Sequence, residues 1–170
     1  MRMMVGMVAA VAALMMAMSV ASAEVSHLEG SYEFNEAESD EMIDAFMPAI
    51  DEMSRFKRGF ARRAVRGEPD PSPVLRIEVS DDEVALHYEE EPTVRLPLSG
   101  EQVRHEEHDG DIRKVSARVE GQALVLDSDV EEGEYTTRYE LDGDQLKITS
   151  HIDFEDLPKV VEYNLVYQAR

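Results

Sequence analysis

Residues 112–152 read IRKVSARVEGQALVLDSDVEEGEYTTRYELDGDQLKITSHI, and apolar and polar side chains alternate through four successive runs, 112–119, 123–130, 134–141 and 145–152. A repeat of two is the side-chain period of a strand with one buried face. The runs are separated by Gly121-Gln122, Glu132-Gly133 and Asp142-Gly143, residues that accept the positive φ of tight hairpin turns. Strands of this length joined by such turns predict an antiparallel meander.

The same pattern continues outward in both directions. Upstream lie runs at 74–80, 83–89, 92–98 and 102–108, separated by Asp81-Asp82, Glu90-Glu91, Ser99-Gly100 and Asp109-Gly110; downstream lies one more, 159–168. Glu68-Pro-Asp-Pro-Ser-Pro73 interrupts the train, and before it the period changes. Met42, Ile43, Phe46, Ile50, Met53, Phe56 and Phe60 recur at three and four, the spacing of one helical face. Ser39 is the expected N-cap, with acids in the first turn; Pro48 predicts a kink or a division into two helices, and Gly59 and Gly67 are further break or cap points. Earlier still, Leu28-Glu-Gly-Ser-Tyr-Glu-Phe34 alternates again. The expected fold is therefore all-β, a ten-stranded antiparallel up-and-down barrel with a helical lid, 39–67, between strands one and two. Closure follows because a long meander with open edges templates aggregation. Ten strands exceed the number that side chains can fill, so an internal cavity is expected.

Residues 1–23, MRMMVGMVAAVAALMMAMSVASA, carry one charge, Arg2, an apolar run from Met3 to Val20 and a small-x-small end at Ala21-Ser22-Ala23. This is the layout of a cleavable secretory signal, favoured over an uncleaved anchor by the Ala-x-Ala site. The expected organisation is a leader, 1–23, and one domain, 24–170, in a secreted or periplasmic protein.

Composition narrows the function classes. With 43% hydrophobic residues the chain can build a core, and 170 residues suffice for one domain. No Cys excludes disulfides, thiolate metal sites and cysteine nucleophiles. A net charge of −20 disfavours nucleic acid as a partner. Gly-x-Ser-x-Gly elbows and Gly-rich phosphate cradles are lacking, and the paired carboxylates sit on consecutive positions that point apart on a strand, so no enzyme, cofactor or metal is expected. His105-Glu-Glu-His108-Asp109 is the one histidine cluster. On a strand it cannot converge, and a solvated hairpin is expected there.

The order of elements resembles the intracellular lipid-binding (fatty-acid-binding) proteins of the calycin group, and lipocalins in a broader sense. Gly30-Ser31-Tyr32 resembles the family's Gly-x-Trp, with Tyr in place of Trp. Ser39–Gly67 occupies the lid position. Thr136-Thr-Arg-Tyr-Glu-Leu-Asp-Gly143 resembles the eighth strand, and Tyr163-Asn-Leu-Val-Tyr167 the closing Arg-x-Tyr, with Leu165 where a second arginine would stand. The resemblance implies a carrier of a small hydrophobic or amphipathic, fatty-acid-like ligand, and it implies that Arg138 points inward to the ligand's carboxylate. Alternation by itself puts Arg138 on the polar face, opposite Tyr139 and Leu141.

The expected ligand-binding set is Arg138, Tyr163, Leu165 and Tyr167 of the barrel with Phe46, Phe56 and Phe60 of the lid. The lid also carries Arg55, Lys57, Arg58, Arg62, Arg63 and Arg66. Membrane contact is one use of that basic face; pairing with an acidic barrel rim is the expected one, in a monomer. The alternative to a carrier is an acidic interaction or inhibitor module whose barrel is filled by its own side chains.

Overall fold

The hairpin train is present strand for strand in a computed structural model of the chain, which describes residues 21–89, 91–106, 110, 112–130 and 133–170. The strands are β1 (Gly30–Phe34), β2 (Val74–Val79), β3 (Glu83–Tyr88), β4 (Val94–Pro97), β5 (Val103–Glu106), β6 (Ile112–Glu120), β7 (Ala123–Val130), β8 (Gly133–Asp142), β9 (Gln145–Phe154) and β10 (Val161–Ala169). Each pairs antiparallel with its neighbour in the order β4-β3-β2-β1-β10-β9-β8-β7-β6-β5. The first and last strands close the sheet, Tyr32 opposite Ala169 and Phe34 opposite Tyr167. The seam of this nearly closed barrel lies between β4 and β5, the two shortest strands, and β4 lies against β6 across it. Pro97 ends β4 without an N–H to donate, which suits a sheet edge. Two-residue turns join β6 to β7 and β8 to β9; in each the first loop residue, Gly121 or Gly143, has φ near +65°.

The insertion after β1 forms two helices, α1 (Met42–Glu52) and α2 (Arg55–Gly67). The expected division into two helices is present, but it does not fall at Pro48. Pro48 lies inside α1, and the chain turns at Met53 and Ser54, both extended. Ser39 does not cap α1 either; Glu41 holds that position. The Ser39 hydroxyl instead accepts from the Val166 backbone N–H at 2.9 Å, and the Asp40 carboxylate accepts from the Asn164 N–H at 2.7 Å. These two side chains continue the pairing of β10 beyond the end of β1.

The core divides in two. The larger part fills the barrel from the end at which β1 begins. Leu75, Ile77, Leu86, Leu96, Ala117, Leu124 and Leu146 meet there, and Val25 and Leu28, both fully buried, plug the opening. The smaller part is α1 against the other end: Phe46, Ala49 and Ile50 on Ile152, Val161 and Tyr163. Residues 1–20, the body of the expected leader, lie outside the described residues; 21–25 are helical and run into the plug.

Outside, the strands carry ion pairs in ladders. Arg76 with Glu78, Arg95 with Glu83 and Arg118 with Asp127 are examples. Val125 is 2% exposed although it alternates with the inward Leu124 and Leu126; its cross-strand neighbours are Arg118 and Arg138, whose aliphatic stems are positioned to cover it.

Candidate functional site

Register determines what faces the barrel interior. Three successive rows run around the wall from β6 to β10. Val119, Leu124, Tyr139, Ile148 and Leu165 form the deepest, then Ala117, Leu126, Thr137, Ser150 and Tyr163, then Val115, Ser128, Tyr135, Ile152 and Val161 toward the helices. Hydroxyls enter as the rows approach the helical end. Above the filled core they border a cavity of about 740 Å³, with Leu86, Val94, Val115, Leu126, Ile148 and Leu165 as its apolar wall. One part of the interior is thus filled by its own side chains, and the part toward the helical end holds the cavity.

Two tyrosine pairs shape this space. The hydroxyls of Tyr88 on β3 and Tyr139 on β8 are 2.7 Å apart, a bond that crosses the lumen and forms a strut at the cavity floor. Higher up, the Tyr135 and Tyr163 hydroxyls are also 2.7 Å apart, and Tyr135 donates to Ser150 Oγ at 3.2 Å. Burial raises the pKa of Tyr88, Tyr139 and Tyr163 far above the usual phenol value, with the neighbouring tyrosines contributing, and pushes Tyr167 up to about 12. These four phenols are neutral hydrogen-bonding groups at physiological pH.

A second hollow of about 420 Å³ lies between the start of α1 and the strap 68–71. It shares Glu68, Pro69 and Leu165 with the first. The strap is tied down by the Tyr167 hydroxyl, which donates to the Ser72 carbonyl at 2.9 Å.

The expected site residues separate cleanly. Tyr163, Leu165 and Tyr167 line the cavity. Arg138 does not. Its guanidinium is on the outer face, 2.9 Å from both Glu120 and Glu140, and Glu140 first, then Glu120, holds its pKa up. The inward positions of β8 belong to Tyr135, Thr137 and Tyr139. Phe46 is buried under α1 in the smaller core and does not border the cavity. Phe56 and Phe60 point away from the barrel, 80% and 64% exposed, with ring centroids 5.4 Å apart. Helical period explains this: Ala61 and Val65 are the residues of α2 that pack inward. Of the basic lid, Lys57 pairs with Asp156 of the β9–β10 loop at 2.6 Å and Arg62 with Asp51 of α1 at 2.9 Å; Arg58 donates to the Met53 carbonyl.

Two polar residues at the cavity were not expected there. His105 lines it, rather than sitting in a solvated hairpin, and so does Arg113; His108 lies outside the described residues. The signal was present in the alternation of β6, which puts Arg113 on the same face as Val115 and Ala117. Among the described residues that border the cavity, Arg113 is the arginine, and Glu68 and Glu91 are the exposed carboxylates at its rim.

No protein-family model matches the sequence, and no curated protein matches it. Solved structures do share the fold. The REP1-NXSQ fatty acid transporter aligns with a TM-score of 0.56 at 15% identity, over 85% of this chain and 97% of its own. Human cRBP IV aligns at 0.56 and 17% identity, over 84% and 98%. A secretory abundant heat soluble protein from Ramazzottius varieornatus aligns at 0.54 and 18% identity, over 84% and 94%. The chain has the calycin-like barrel of the fatty-acid-binding proteins, helical insertion included.

Proposed function

We propose that this protein is a non-enzymatic carrier, exported by its N-terminal segment, that holds a small hydrophobic or amphipathic molecule inside the barrel. The observation that carries this is the cavity of about 740 Å³ in which an apolar wall meets a belt of hydroxyls, a size typical of small-molecule sites. Solved proteins of the same fold are named for fatty acid transport or fatty acid binding. Binding is mostly burial. At about 0.8 kcal/mol per methylene, ten buried methylenes contribute about 8 kcal/mol before the cost of association. The hollow beside the 68–71 strap shares Glu68, Pro69 and Leu165 with the cavity lining. Export is supported by the charge, apolar run and Ala-x-Ala end of residues 1–23.

Native extraction of the expressed protein followed by mass spectrometry tests the carrier function, which predicts a stoichiometric apolar molecule. Delipidated protein should then gain about 2.7 kcal/mol of stability at a ligand concentration a hundredfold above its dissociation constant. No co-purifying molecule, together with no thermal shift across fatty acids, retinoids and phospholipids, would leave the acidic interaction module as the better account. Sequencing the N-terminus of the exported protein tests cleavage after Ala23.

A further inference from the structure

The resemblance placed the ligand's acid group on β8, where the structure has no inward cation. The register of β5 and β6 supplies a different place. His105 and Arg113 are directly paired across the two strands, and the next pair along the same face, Val103 and Val115, points into the barrel. Residues opposed in this way hold their Cβ atoms about 5 Å apart, and both His105 and Arg113 are half-buried in the cavity wall. The pair sits at the helical end, beside the Ser128–Tyr135 row. The cavity floor, by contrast, is the Tyr88–Tyr139 strut with Leu86 and Ile148 around it.

We infer that the ligand is an amphiphile with one oxyanion, anchored at Arg113 and His105 near the mouth, its apolar end directed down to the tyrosine strut. This rests on the carrier function and adds the ligand's charge and orientation. Three features support it. The guanidinium is a planar fork that matches a carboxylate or sulfate, and imidazole donates in either tautomer. The position is sheltered, which strengthens a charge-assisted bond relative to the surface. The rest of the molecule is so acidic, 37 acids against 17 cations, that an anion has little reason to linger anywhere but at an inward cation. Glu68 and Glu91, at the rim and exposed, disfavour a second negative charge on the ligand and are poor partners for a dianion.

The test uses the full chain loaded with Nile red, a neutral probe, displaced by dodecanoate, dodecyl sulfate or 1-dodecanol. The wild type should prefer both anions to the alcohol. Arg113→Gln should weaken both anions by about tenfold or more and leave dodecanol within about twofold. Arg138→Gln, on the outer face, should change none of the three. Arg113→Lys keeps the charge but loses the fork, and should weaken the anions by an intermediate factor; it stands in if Arg113→Gln fails to fold. If all three ligands bind but Arg113→Gln or Arg113→Lys leaves the anion-to-alcohol ratio unchanged, the anchor is refuted and the carrier stands. If neither Nile red nor any of the three binds the wild type, the carrier function itself falls, and the anchor with it.

Discussion

The strut across the lumen makes a prediction that a double-mutant cycle can decide. Tyr88→Phe removes one hydroxyl and leaves the other, Tyr139, 3% exposed with its bond to Tyr88 gone. A buried hydroxyl left unsatisfied costs about 1–3 kcal/mol. The reverse change is milder. Both tyrosines border the cavity, but Tyr88 is the more exposed of the two, so the hydroxyl that Tyr139→Phe leaves behind reaches water more readily and about 1 kcal/mol is expected. In the double variant no polar group remains, both rings keep their packing, and the cost should fall to about that of Tyr139→Phe alone or less. The coupling between the two sites is therefore about 1–2 kcal/mol, well above the scatter of additive pairs, about 0.3–0.5 kcal/mol. Urea unfolding followed by far-ultraviolet circular dichroism measures all four proteins, with equal m-values as the check that the unfolding reaction is unchanged. If the double variant costs the sum of the singles, or if Tyr139→Phe costs more than Tyr88→Phe, the strut is not a buried pair whose more exposed end is Tyr88.

Alkali should unfold the protein early: Tyr88, Tyr139, Tyr163 and Tyr167 have raised pKa values in the fold, so the unfolded chain releases its phenolic protons first, near pH 10, and stability present below that is lost as pH climbs toward the folded values, Tyr167 reaching about 12. A melting temperature that stays level between about pH 8 and 11.5 would contradict this. Leu28→Ala opens the plug and should cost about 2–5 kcal/mol in urea unfolding, since Leu28 is fully buried and its carbonyl also accepts the Tyr32 hydroxyl at 2.8 Å; a cost below about 1 kcal/mol would mean the opening is closed by something else. Gly133→Ala should cost more than about 2 kcal/mol or prevent folding, because φ is +150° and a Cβ would clash with the Asp153 carbonyl oxygen; wild-type stability would show that β8 starts differently. Phe56→Ser with Phe60→Ser should change stability by less than about 0.5 kcal/mol per site and leave Nile red affinity alone, whereas lost affinity would return both rings to the ligand.

Strand count, hairpin positions and the place of the helical insertion were legible in the sequence because they rest on local chemistry: a period of two, turn residues at fixed offsets, and a change to helical period at Met42. The position of the helix break was not, because Pro48 could be absorbed in α1 while Met53 and Ser54 turned the chain, and Ser39 was claimed by β10 rather than by the helix it precedes. At the site, alternation was the better guide than resemblance. It put Arg138 opposite Tyr139 and Leu141, where the structure has it, and the same rule applied to β6 puts Arg113 beside Val115. The lid phenylalanines misled because period alone gives α2 two candidate apolar faces. Phe56 and Phe60 form one, Ala61 and Val65 the other, and the inward choice depends on how far the helix sits from the barrel.

Ten strands enclose more space than their own side chains fill, and this chain distributes the surplus unevenly. Val25 and Leu28, supplied by the segment before β1, fill one end, and the Tyr88–Tyr139 bond holds opposite walls together where the filling stops. Beyond that level, Thr137, Ser150, Tyr135 and Tyr163 satisfy one another or face the cavity, so polar groups can be carried inside without being left unpaired in a dry core. Burial free energy is thus concentrated at the plugged end, and the open half is relieved of contributing most of it. Changes in the hydroxyl belt or at Arg113 should therefore move affinity more than stability, and changes around Leu28, Leu75 or Leu124 the reverse. A barrel hollow throughout could not separate the two, because every wall residue would face both the ligand and the only core available.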